Sequence, residues 1–351
     1  MLFLILNCCF VIFYFDYAAA INQQTKLVVV AQDGSGDFKN IQSAIDAVKD
    51  FKGQKIIYIK NGIYPEKLFI TCSNINFIGD DKDSTIILFA QLRSSWVDST
   101  GDDWGAGAIN IGNGTEDIKF INLTVYNNYG SLYGNNDHQF AVRSFDADKI
   151  IFINCSLKAD GGDTVALWNA DSGKYYLSNC TFDGFVDFVC PRGWCYITNS
   201  IFFQKSAKAS ASIWHDGGAD INSKLVIKNS RFEGVDSFSL GRHHRDAQFY
   251  LINCTFAENM RNRPIYFNPS NPPKPYKWGE RYYYFNTHKE GGDYEWHNDN
   301  LTFAKDSPQP SEITSVWTFS TAPVKWNPHE SLNELKNILN ELNININFNF
   351  N

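Results

Sequence analysis

What the chain lacks narrows its chemistry first. It has eight cysteines, yet no Cys-x-x-Cys pair, so the usual spacing of a structural zinc site is missing. No Gly-x-Ser-x-Gly segment occurs, which removes the sharp elbow that exposes a nucleophilic serine in one large class of hydrolases. Positive charge is scarce. Against 38 Asp and Glu stand 31 Lys and Arg, a formal net charge of −7, so nucleic acid is a poor partner. A sustained 3.6-residue apolar period is also absent from the repeating segments, which excludes helical repeats. The one long apolar run, Leu2 to Phe15, is too short to cross a membrane comfortably. No Lys or Arg precedes it, but Ala18-Ala19-Ala20 follow it as a small-residue cleavage site would. Residues 1–20 are therefore expected to be a signal peptide. The mature protein is then secreted and extracellular, without a membrane partner and without Cys8 and Cys9.

What is present is a recurring phrase: apolar or aromatic residues, an asparagine, then a small residue. It appears around Asn122, Asn154, Asn179, Asn199, Asn229 and Asn253, at spacings of 32, 25, 20, 30 and 24 residues. A recurrence of that size marks a solenoid with one supersecondary unit per turn. Val, Ile, Phe and Tyr suit short strands, and asparagine suits the corner because it tolerates left-handed backbone angles. A β-sandwich is the alternative, but its turns fall every ~8–12 residues. The expected fold is all-β: a single-domain right-handed parallel β-helix over residues 21–330, its coils about 4.8 Å apart. Asn40 to Val48 reads as a short amphipathic helix capping the first coil. Leu332, Leu335, Ile338, Leu339 and Leu342 suit a helix in 331–351, which ends in an Asn-rich low-complexity tail. Cys155, Cys180 and Cys254 each follow a repeat asparagine and should share one internal ladder, whereas Cys190 and Cys195 leave their pairing open. Six sequons occur. Asn122, Asn154, Asn179 and Asn253 coincide with the repeat, so Asn113 and Asn300 are the better sites for sugar attachment.

The repeat also aligns two carboxylates. Asp163 lies nine residues after Asn154 and Asp187 eight after Asn179, so successive coils set them side by side. Two carboxyls that close do not both ionise freely, which makes one a general acid beside an ionised neighbour. Arg242 is placed to orient one of them, and Gln139, from the coil before Asp163, has an amide suited to a developing oxyanion. A calcium site built on Asp160, Asp163 and Asp187 is the competing reading. The apolar setting Phe185-Val186-Asp187-Phe188-Val189 argues for a task, because burying a lone carboxylate is costly. His215 is read as structural. His243 and His244 face opposite ways and make poor joint metal ligands. No metal and no cofactor are expected.

Several segments, in order, resemble the pectin methylesterase (pectinesterase) family. They are Val30-Ala31-Gln32-Asp33-Gly34-Ser35-Gly36-Asp37-Phe38, Gly62-Ile63-Tyr64-Pro65-Glu66, His138-Gln139-Phe140-Ala141-Val142-Arg143, Gly162-Asp163-Thr164-Val165, Val186-Asp187-Phe188-Val189-Cys190, Leu240-Gly241-Arg242 and the closing stretch from Trp317 to Pro328. The resemblance implies a secreted carboxylic ester hydrolase that removes methyl groups from pectin (homogalacturonan). It implies Asp187 as nucleophile, Asp163 as acid and base, Arg242 as the residue orienting Asp187, and Gln139 in the oxyanion hole. Three positions depart from the family pattern. Gly162 stands where the family has Gln. Cys190-Pro191-Arg192-Gly193-Trp194 replaces a glycine and adds a cation. His243-His244 replaces Pro-Trp, removing a sugar platform. Arg192, Trp194, His244, Trp168 and Trp214 are the expected substrate-binding residues, and a monomer is the expected state. The alternatives are a catalytically silent polysaccharide-binding β-helix, and a pectate lyase or glycosidase on the same scaffold.

Overall fold

The computed structural model describes residues 25–206, 211–218, 220–235 and 237–346; the expected signal peptide lies outside them. All described strand pairs are parallel, and the chain winds as a right-handed β-helix with three faces. A ten-stranded sheet runs from Thr25–Val30 to Tyr282–Phe285, and a nine-stranded sheet from Gly62–Tyr64 to His288–Lys289. The third face is split. Four strands (Leu68–Ile70, Gly107–Ile111, Phe140–Phe145 and Val165–Trp168) meet three others (Ala211–Trp214, Ser239–His243 and Tyr266–Phe267) through single bridges at Val189 and Arg192.

The corner between the two long sheets is made by the repeat asparagines. Asn122, Asn154, Asn179, Asn199, Asn229 and Asn253 all have φ between 51° and 56°, a region β-branched and bulky residues avoid. Their amides pair along the axis: Asn154 Nδ2 donates to Asn122 Oδ1 at 2.8 Å and Asn253 Nδ2 to Asn229 Oδ1 at 3.0 Å. Asn286 adds a rung the repeat phrase did not reveal, donating to Asn253 Oδ1 at 3.0 Å. Inside, identical positions stack. Phe77, Phe120 and Phe152 lie 4.9 and 4.7 Å apart with nearly parallel rings, and Phe182, Phe202, Phe232 and Phe256 form a second column. Cys155, Cys180 and Cys254 are buried in this core, and all six described cysteines are free thiols, Cys190 and Cys195 included.

Among the described residues five α-helices close the ends and flanks: α1 (Ile41–Val48), α2 (Arg93–Thr100), α3 (Tyr129–Tyr133), α4 (Ser315–Ser320) and α5 (Pro328–Glu341). Helix α1 buries Ile41, Ala44, Ile45 and Val48. Its first amides are capped by the Glu66 carboxylate, at 2.9 Å to both Ile41 N and Gln42 N, the favourable place for an anion on a helix. Helix α5 starts three residues before the expected boundary, because the Asn327 side chain caps His329 N and Pro328 suits the first turn. No described helix is long and apolar enough to cross a membrane.

The ladder yields an ordering. Asn253 bonds both Asn229 and Asn286 and holds φ 52°. Asn253→Ala should cost about 2–3 kcal/mol, from two lost hydrogen bonds and a left-handed backbone. Asn253→Gly should cost less, since glycine adopts that φ without strain. Urea midpoints check the order; equal losses would mean the corner conformation carries no penalty.

Candidate active site

Asp163 and Asp187 occupy adjacent rungs. Val165 and Val189 are bridged partners, and each aspartate lies two residues upstream, so their backbones are about one strand spacing apart. The Asp163 amide donates to Val186 O at 2.9 Å and the Asp187 amide to Ala211 O at 2.7 Å. Both residues are left-handed, with φ of 60° and 48°. Non-glycine residues held there commonly mark functional positions. They stand where the third face loses its regular pairing, and both are buried, 7% and 6% exposed.

Electrostatics separates the two. Burial pushes the Asp163 carboxyl up to about 7; His138 pulls it down, Asp187 pushes it further up, and Arg143 and Arg93 lower it. Burial also raises Asp187, but the Arg242 guanidinium opposes this directly. Arg242 grips Asp187 through Nε at 3.0 Å to Oδ1 and 3.1 Å to Oδ2, with Nη2 also on Oδ2. Such a forked, charge-assisted contact favours the ionised form. The result is a neutral acid beside an oriented carboxylate.

Not every expected residue joins them. Gln139 is fully buried, and its Nε2 donates to Asn135 O at 2.6 Å and Asp160 O at 3.4 Å, while Oε1 accepts from Gly130 N. Its amide braces the loop after α3 instead of facing the aspartates, which corrects the oxyanion-donor expectation. Trp194 is likewise corrected. It is 0% exposed on the ten-stranded sheet, and its Nε1 donates to Thr321 Oγ1 at 3.2 Å beneath the C-terminal segment, away from the groove. Asp160 bonds Tyr126, Ser131 and Lys205, so it is not shared with the aspartate pair. Asn300 uses both ends of its amide on Tyr282 O and Tyr284 N; only Asn113 of the two preferred sequons has its side chain in the open. His215, buried, bonds Gly193 O through Nε2, and His243 bonds Arg245 O and the Tyr282 hydroxyl.

The remaining expected residues cluster with one another, and His244 acts electrostatically on Asp187. Arg192 stacks on the Trp168 ring at 3.8 Å. Trp168 meets Trp214 edge to face at 5.8 Å, and Trp214 meets His244 at 5.4 Å. Trp214 Nε1 and Arg192 Nε have no hydrogen-bond partner among the described residues. One residue went unassigned in the sequence: His138, whose Nε2 lies 3.6 Å from Asp163 Oδ2 and whose Nδ1 is 2.6 Å from Asp137 Oδ1. Its signal was its place directly before Gln139 in the quoted motif.

A family model described as Pectinesterase matches residues 27–251. Among curated proteins, the chain is 29% identical over 256 residues to Pectinesterase 2 of Citrus sinensis, covering 67% of this chain and 46% of that protein. It is 31% identical over 214 residues to a probable pectinesterase/pectinesterase inhibitor of Arabidopsis thaliana, covering 58% and 37%. The chain thus spans less than half the length of these relatives. Among solved structures, a pectin methylesterase in complex with a hexasaccharide superposes with a TM-score of 0.66 at 21% identity, over 86% of this chain and 97% of that one. The pectin methylesterase from carrot gives 0.62 at 20% identity, over 78% and 84%. These two likenesses carry the fold, and the match over more than half of the sequence carries the kinship: the chain belongs to the pectinesterase family.

Proposed function

We propose that the protein is a pectin methylesterase in which Asp187 is the nucleophile and Asp163 the acid and base. The observation that carries this reading is the adjacency of an Arg242-held carboxylate and a buried carboxyl raised to about 7. An Asp187 oxygen attacks the methyl ester carbonyl carbon. The C–OCH3 bond then breaks as Asp163 passes its proton to the departing oxygen, releasing methanol and leaving an acyl-enzyme. Water attacks that acyl carbon and gives a proton to Asp163. Asp187 departs as carboxylate, and the sugar keeps a free carboxyl group. Arg242 holds the nucleophile in its attacking geometry.

Trp168, Trp214 and His244 supply ring faces for a polysaccharide, and Arg192 supplies a cation for its carboxylates. Secretion through the 1–20 segment and a monomeric state complete the proposal, and Asn113 is the sequon placed for glycosylation. A second reading has one specific observation behind it. Gly162 brings no side-chain donor, and the Gln139 amide is engaged elsewhere, so a weak or silent polysaccharide-binding β-helix remains the competitor. Methanol release from methylated pectin separates the two.

Three outcomes are expected. Asp187→Ala should lower methanol release on the order of ten-thousand-fold with unchanged circular dichroism; retained turnover refutes the assignment. The profile of kcat/KM should fall on its alkaline side near pH 7, as Asp163 loses its proton; a plateau to pH 9 would contradict the acid role. Stability provides an independent check. A carboxyl raised in the folded state binds a proton that the unfolded chain releases, so its contribution is complete below about pH 4 and is lost as pH rises towards 7. Asp163→Asn should therefore raise the melting temperature at pH 8, by about 2–4 kcal/mol in stability, and much less at pH 4.

A further inference from the structure

His138 stands where the groove is otherwise short of a side chain. A Cβ built on Gly162 would meet Val186 Cγ1 at 2.7 Å and Val186 O at 3.2 Å, so a larger residue there requires Val186 to shift. The same Cβ would lie 3.8 Å from His138 Cδ2. The imidazole therefore flanks the space that a side chain at 162 would enter. Its orientation is fixed from behind. A carboxylate only accepts, so the 2.6 Å contact makes His138 Nδ1 the donor to Asp137 Oδ1. Nε2 is then the nitrogen turned to Asp163, 3.6 Å from Oδ2. The backbone is pinned as well, with Arg93 N donating to His138 O at 3.0 Å and Arg93 Nε bonding Asp103 at 2.8 Å.

The geometry points to His138 as a positioning residue for Asp163, held by Asp137 with its Nε2 aimed at Asp163 Oδ2, where the charged imidazole donates to the carboxylate. This role rests on the esterase reading of the aspartate pair. With Oδ2 turned to the imidazole, Oδ1 is the oxygen left for the ester, first to protonate the departing methanol and then to take a proton from water. The imidazole returns unchanged after each cycle, so the step consumes no further proton. The 3.6 Å separation is longer than a formed hydrogen bond, and bonds of this kind tighten when substrate enters. A carboxylate behind an imidazole is how such a ring is oriented towards a reacting group elsewhere in catalysis.

Charge around the pair sets the direction of the effect. Asp163 faces His138, Asp187, Arg143 and Arg93; Asp187 faces Arg242, His244 and His138; Asp137 faces His138 and Arg93. Of these, His138 is the first influence after burial that lowers Asp163. Its removal should leave Asp163 protonated to higher pH.

The test uses the whole protein, with His138→Ala and His138→Gln beside the unchanged chain. In His138→Ala, the alkaline limb of kcat/KM for methylated pectin should move up by about one pH unit. Its kcat should fall about tenfold, because the base form needed to activate water becomes scarcer. His138→Gln, which keeps an N–H, should recover most of kcat. Carbon NMR titration of the Asp163 carboxyl, free of substrate, should show the same upward move. An unmoved limb and an unmoved carboxyl titration would overturn the role even if activity fell, because a packing defect alone would not spare both. The two readings fail separately: absence of methanol release by the unchanged protein would sink the esterase reading, while the carboxyl titration would still decide whether His138 and Asp163 are coupled.

Discussion

Two carboxyl groups taken out of water on neighbouring rungs are the constraint to which the rest of the groove answers. Placing either one there alone is unfavourable, and placing both ionised at about one strand spacing is worse. The chain resolves this asymmetrically. Asp187, raised by burial, receives an opposing forked guanidinium from Arg242, two coils further on, and Asp163 receives no such partner and is raised to about 7. Only a parallel stack makes this arrangement, because each coil repeats the turn position of the last. The left-handed φ values of the two aspartates match those of the asparagine corners. The β-helix therefore already contains the backbone conformation that the pair needs.

The absence of a side chain at 162 follows from the same stacking. Successive rungs bring Val186 O and Cγ1 within 3.2 Å of any Cβ placed there, and the Asp163 amide bonds that very carbonyl at 2.9 Å. Moving the backbone away to admit a glutamine would loosen the bond that sets the height of Asp163. The groove instead receives a group from the preceding coil, on the loop that Gln139 braces from beneath. Gln139 and His138 thus divide the work along one short segment, one side chain facing in and its neighbour facing the aspartates.

The fold was legible because its corner is periodic and chemically unusual: an asparagine at left-handed φ recurs, and few other residues take that role. The rung at Asn286 escaped notice because its strand, Tyr282–Phe285, is aromatic throughout and followed by Thr287 instead of the usual Ser, Cys or Leu. The aspartate pair was legible for the same reason as the fold, since register alone places it. What the sequence did not reveal was direction. Trp194 sits in a strand whose partner Lys174 is also covered, and nothing local says that a segment near Thr321 will close over it. Gln139 carried the right chemistry at the right height, but its donors were claimed by carbonyls of a loop whose path is not periodic. Asn300 shows the same limit, its sequon intact and its amide spent on Tyr282 and Tyr284.

Charge pairing accompanies the packing of the C-terminal segment over the ten-stranded sheet. On the outside of the ten-stranded sheet even lysines are matched. Lys174, with its side chain 0% exposed, pairs with Asp148 at 2.8 Å, Lys119 pairs with Asp117 at 2.6 Å, Lys224 reaches Thr321 Oγ1, and Lys228 reaches two carbonyls of the C-terminal segment. A buried cation without such partners would be strongly unfavourable, so α4 and the strap before α5 bind there in one register. The groove is built the other way. Arg192 and Trp214 keep nitrogen donors unmatched by the described protein, held in place by stacking on Trp168 and by edge contacts, not by hydrogen bonds. Both nitrogens are buried, so the rings fix these side chains without a hydrogen bond to their N–H groups. Side chains of the same kinds are thus held by ion pairs and hydrogen bonds on one face and by ring contacts on the other.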